Sequence, residues 1–125
     1  TGMTQTAREN IFFRWQDDLA ELASYPNVYT KISGLFMPVL GHRFHKEDRL
    51  ASKQEVFDLA HPMITHALAC FGTYRVMFAS NFPMDSVSTS LVNIIDAFSD
   101  VVAAYDPDAL ERVFHHNAKQ FYRLE

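Results

Sequence analysis

The chain has 125 residues, 48% of them apolar and 21% charged, with a formal net charge of −4 at neutral pH. That is the length of one small domain with a single core, and it is too apolar for a disordered chain. The acidic balance leaves no basic face to neutralise phosphates, and no apolar run approaches the roughly 20 residues that cross a bilayer, so neither nucleic acid nor membrane is expected as a partner.

No signal peptide is expected from these residues, and the single cysteine, Cys70, has no internal partner for a disulfide. Cys70 reads as a small core residue of a reduced, cytoplasmic protein. The alternative is a reactive thiol, although no cationic neighbour in sequence lowers its pKa.

In chain order, Glu9 to Ser24 carries Phe12, Trp15, Leu19, Leu22 and Ala23 at three- and four-residue spacings, with Arg14, Asp17, Asp18 and Glu21 between them. This is an amphipathic helix, broken at Tyr25-Pro26-Asn27. Val28 to Ser33 follows as a strand ended by Gly34, with Val28, Thr30 and Ile32 on one face and Tyr29, Lys31 and Ser33 on the other. Residues 35 to 52 show no clean period and read as a long shaped loop holding His42-Arg43-Phe44-His45 and a charged run from Lys46 to Arg49.

Ser52, with Glu55 three residues on, marks a capped helix to about Phe71, in which Pro62 predicts a kink or a second helix starting there. Gly72 stops it. Val76 to Ala79 then reads as a short buried strand running into the polar lip Ser80-Asn81 and the rigid turn at Pro83. Ser86 to Tyr105 reads as a helix burying Leu91, Ile94, Ile95, Phe98 and Val102. Asp106-Pro107 caps a last helix burying Leu110, Val113, Phe114, Ala118, Phe121 and Tyr122. Strands alternating with helices imply right-handed crossovers and a parallel sheet, but two strands make a very small one, so the chain reads as part of something larger.

Buried strand, polar lip, turn and helix is how an α/β enzyme presents chemistry at the carboxyl end of a parallel strand. Asn81, on the face opposite Val76 and Phe78, would ligate a metal or hydrogen-bond substrate, or else tie the Pro83 turn. Lys31 and Ser33 would bind a carboxylate or phosphate, Lys31 serving as a base if desolvated, or would be solvated residues at a strand end. Asp85 is an acid/base candidate or the cap of the next helix. The six histidines have poor ligand spacing: His61 and His66 are five apart and His115 and His116 are adjacent, so each reads as a surface or satisfied core residue. His42 and His45 are the best exceptions, because a long loop holds them.

Three stretches in order carry a resemblance. They are Asn27-Val28-Tyr29-Thr30-Lys31-Ile32-Ser33-Gly34-Leu35, then Phe71-Gly72 before Arg75-Val76-Met77-Phe78-Ala79-Ser80-Asn81-Phe82-Pro83, and finally His116-Asn117-Ala118-Lys119-Gln120-Phe121-Tyr122-Arg123-Leu124. Together they resemble the C-terminal part of the amidohydrolase-related family, TIM-barrel metal-dependent hydrolases that include sugar lactonases. The resemblance implies a single partial domain over 1–125: the C-terminal fragment of a (β/α)8 barrel, with Val28 to Ser33 as its seventh strand and Val76 to Ala79 as its eighth. It also implies a divalent metal such as zinc in metal-binding members, whose first-strand His-x-His is absent from this sequence. Many members carry aspartate where this chain has Asn81, and an amide offers its oxygen but is no general base near pH 7.

The expectation is therefore a lactonase- or amidohydrolase-like hydrolase acting on a lactone or carboxylate-bearing small molecule. Asn81 would be catalytic, and Lys31, Ser33, His42, His45 and Asp85 would contact substrate. The fragment alone is expected to be inactive and self-associating. The rival is a non-enzymatic α/β binding or assembly module.

Overall fold

A computed structural model describes residues 5–33, 51–80 and 89–123. The elements are α1 (Gln5–Ala23), β1 (Thr30–Ile32), α2 (Lys53–Phe71), β2 (Val76–Phe78) and α3 (Leu91–Tyr105), then a 3-10 turn (Pro107–Ala109), a π turn (Arg112–His116) and α4 (Asn117–Phe121). The order is the expected one, and both strands are shorter than the sequence suggests. They pair in parallel, with Thr30 opposite Val76, Lys31 opposite Met77 and Ile32 opposite Phe78.

The core lies between this sheet and the α2–α3 layer. Ile32 and Val76 face it, together with Val56, Ala60, Ile64 and Leu68 of α2 and Ile94, Phe98, Val101 and Val102 of α3. Phe78 sits edge-on to Phe98 at 4.8 Å and stacks on Phe114 at 4.7 Å, joining β2 to α3 and to the π turn. Alternation along the strands is thus as the period of two demands: Ile32, Val76 and Phe78 toward the helices, Lys31 and Met77 away from them.

Four expectations are corrected. Pro62 does not restart the helix, since α2 is continuous from Lys53 to Phe71. Pro62 is exposed, so water can satisfy the carbonyl whose partner it removes. Helix α3 begins at Leu91, behind the N-cap Ser90, and buries Ala97 and Val101 beside Ile94, Phe98 and Val102. Leu91 and Ile95, expected inside, are exposed. At the C-terminus a 3-10 turn and a π turn precede a short α4, whose Phe121 and Tyr122 are exposed rather than buried. Finally, α1 buries only Ala23 among its described side chains, and Leu22 and Phe13 (61% exposed) face solvent.

Residues far apart in sequence fix these elements by bonding to backbone. Arg75 donates to the carbonyls of Tyr25 (2.8 Å), Val28 (2.9 Å) and Ala23 (2.9 Å), closing the end of α1 against the start of β2. Its guanidinium also lies 5.1 Å from the Phe71 ring. Asn117, 2% exposed, donates to the carbonyls of Thr73 (2.7 Å) and Val76 (2.8 Å).

Candidate functional site at the carboxyl ends of the strands

In each strand–helix unit the helix returns antiparallel to its strand, so the N-termini of α2 and α3 lie at the carboxyl ends of β1 and β2. Three groups tie those N-termini together. Thr89 Oγ1 donates to the Ala51 carbonyl (2.9 Å), and Asn93 Nδ2 donates to the same carbonyl (3.2 Å) and to Thr89 Oγ1 (3.2 Å). Thr89 and Ala51 are both fully buried. Beside this knot, Ser52 and Glu55 form the expected capping box on α2, and Ser90 Oγ accepts from the Asn93 amide on α3. Ala51 and Thr89, each just before the helix that follows a strand, therefore meet in one hydrogen-bonded anchor.

Across the sheet, Ala79 N–H donates to the Ile32 carbonyl at 3.1 Å and carries the ladder one residue beyond β2. The register places Lys31 beside Met77 on the face away from the helices. Ser33, two residues after Lys31, is exposed on that face, and Ala79 follows Met77 by the same alternation. Lys31 is exposed, with its Nζ 5.1 Å from the centroid of the Tyr122 ring. Asn81, His42, His45 and Asp85 lie outside the described residues.

Three further titratable groups, His66, Cys70 and His116, stand apart from this lip. His66 bridges α2 to α1: its Nε2 lies 3.0 Å from the Gln16 carbonyl, which only accepts, and its ring tilts against Trp15 at 5.6 Å. Cys70 lies 3.4 Å from the same nitrogen, and burial pushes its thiol pKa up, the opposite of an activated nucleophile. It sits near the end of α2, toward the amino end of β2. His116 lies 3.4 Å from Glu111, far along the C-terminal segment.

Sequence reasoning did not single out the Thr89–Ala51–Asn93 knot, Arg75 or Asn117 as anchors. Arg75 and Asn117 stand inside the stretches that carry the family resemblance, which was the available signal. Their bonds reach backbone 41 to 52 positions away, which no local pattern encodes.

The family model described as amidohydrolase matches residues 2–124. The chain is 34% identical over 124 residues to the uncharacterized protein y4mH of Sinorhizobium fredii, covering 99% of this chain and 37% of that relative. It thus spans about 37% of the length of the curated relative it matches. Its fold superposes with a TM-score of 0.70 on an amidohydrolase of Burkholderia multivorans, in crystals with bound zinc and with bound HEPES. Those alignments cover 90% of this chain and 37% of the neighbour, at 23% identity, and so speak to the fold. Against zinc, the described lip offers an ammonium, a hydroxyl and apolar groups, and among the described residues no three His, Cys, Asp or Glu side chains converge. The described residues do not make a zinc ligand set. By the family match across nearly its whole length, and by a parallel strand pair that matches part of an amidohydrolase TIM barrel, this chain belongs to the amidohydrolase family.

Proposed function

We propose that these residues form one sector of the active-site mouth of a hydrolase that opens a lactone or a related C–O or C–N bond. The observation that carries this is the register of β1 on β2, which sets Lys31 and Ser33 beside the strand that leads to Asn81. Asn81 orients the attacking water or the scissile group through its amide and is not the base. Lys31, with Ser33, takes the carboxylate or hydroxyls of the substrate, and the N-termini of α2 and α3 add positive potential at the same end. His42, His45 and Asp85 are assigned to further substrate contacts. A cytoplasmic setting fits a single unpaired cysteine.

One sector does not enclose a substrate, so the 125 residues alone are expected to be inactive and to self-associate through exposed apolar helix faces. The test is a panel of sugar lactones offered to a full-length barrel carrying this sequence and to the 125-residue chain. The proposal expects turnover by the former, a raised KM for acidic lactones in Lys31→Ala, and none by the chain alone. Lactone turnover by the 125-residue chain, abolished by Asn81→Ala, would contradict the claim of inactivity. Unchanged KM in Lys31→Ala would remove Lys31 from the site and favour the rival, a binding or assembly module.

A further inference from the structure

Ala51 is the last residue before the N-cap Ser52 of α2, and Thr89 is the last before the N-cap Ser90 of α3. Each helix start is satisfied locally. Ser52 Oγ accepts from the Glu55 amide, and the Ser52 carbonyl accepts from the Val56 amide. Ser90 does the same for the amides of Asn93 and Ile94. The Thr89 hydroxyl takes part in neither cap. It crosses to the Ala51 carbonyl at 2.9 Å and accepts from Asn93 Nδ2 at 3.2 Å, and that amide also donates to the Ala51 carbonyl at 3.2 Å.

Thr89 is 0% exposed and Ala51 2%. A valine would fill the same volume there with no polar group to desolvate. A buried hydroxyl costs free energy unless it is bonded, and a fully bonded one fixes a single arrangement of the groups it joins. Here it joins the chain entering α2 to the chain entering α3. In sequence, His42 and His45 lie between β1 and Ala51, and Asn81 and Asp85 lie between β2 and Thr89. We infer that Thr89, supported by Asn93, is a positioning residue that locks the ends of these two site-bearing segments in fixed relation to each other. Thr89 touches no substrate and acts through the main chain. The inference rests on the proposed assignment of Asn81 to the reacting group.

The test is amide hydrogen exchange and steady-state kinetics of Thr89→Val, Thr89→Ser and Asn93→Ser in a full-length barrel carrying this sequence, with glucono-δ-lactone as the substrate. In Thr89→Val the amides of Glu55 and Val56 in α2 should exchange about tenfold faster, together with those of Asn93 and Ile94 in α3. Thr89→Ser keeps the hydroxyl and should restore both. Asn93→Ser keeps the Thr89–Ala51 bond and should give the same paired pattern at smaller amplitude, which decides the matter if Thr89→Val does not fold. The kcat should fall about tenfold or more in Thr89→Val and return in Thr89→Ser, with KM little changed because Lys31 is fixed in β1. Unchanged exchange at Glu55 and Val56 in these variants would overturn the coupling and leave Thr89 a residue of its own helix. Paired exchange with wild-type kcat would overturn the positioning role. No turnover by wild type would overturn the proposed function and the role in its reaction, while the exchange pattern still reports the coupling.

Discussion

Asn117 is a fully buried amide whose two N–H groups are spent on two main-chain carbonyls at the start of β2. Replacing it with leucine keeps much of the volume and strands both acceptors. Each lost bond costs about 0.5–1.5 kcal/mol, with a further desolvation penalty, so urea denaturation should show Asn117→Leu less stable by about 2–4 kcal/mol. Arg75 poses the complementary case of one cation on three carbonyls. A lysine ammonium is a point charge and does not reproduce the planar fork. Arg75→Lys should therefore lose about 1–2 kcal/mol, read by faster amide exchange in the last turn of α1.

Cys70 gives a pH signature at the same scale. Burial raises its folded pKa above the unfolded value, so its contribution is complete below the ordinary thiol range and is lost as pH rises through the folded pKa. Native chain should react with iodoacetamide more slowly than chain unfolded in urea at the same pH, and stability should fall into alkaline solution. Labelling at the unfolded rate would contradict a shielded, half-buried thiol.

At the scale of elements, Pro62 is the sharpest prediction, because α2 continues through it. Pro62→Ala restores one hydrogen bond and relieves the ring clash, and should raise stability by about 1–3 kcal/mol in thermal or urea unfolding, part of the gain being offset by a freer unfolded chain. The capping box of α2 was legible in sequence because Ser52 and Glu55 have fixed local spacing, and the two strands because β alternation repeats every second residue. The second helix start at Pro62 was misplaced because the cost of an interior proline depends on whether its side of the helix meets water, which spacing does not report. The face of α3 was drawn too close to Leu91 and Ile95 because Leu91, Val92, Ile94, Ile95, Ala97, Phe98, Val101 and Val102 offer overlapping apolar stripes. Only packing against α2 and Phe78 selects one. At the candidate site, the face shared by Lys31 and Ser33 was legible from alternation, whereas the Thr89–Ala51–Asn93 knot joins positions 38 and 42 apart and was not.

At the scale of the molecule, the two parallel strands and the helices among the described residues leave apolar side chains outside. Ile11, Phe13 and Leu22 of α1 and Val92 and Ile95 of α3 are exposed. Patches of this kind are normally covered, so light scattering of the 125-residue chain should show a mass above the monomer, and a stable monomer would count against self-association. Family membership across residues 2–124 and a fold matching 37% of an amidohydrolase chain make β1 and β2 part of a TIM barrel, and the proposed site lies at their carboxyl ends. The most direct test of that account is the steady-state kinetics of Asn81→Ala in a full-length barrel carrying this sequence. The account predicts kcat for lactone hydrolysis lower by about 100-fold or more with KM little changed, because a lost orienting group acts on the transition state. Wild-type kcat in Asn81→Ala would contradict it.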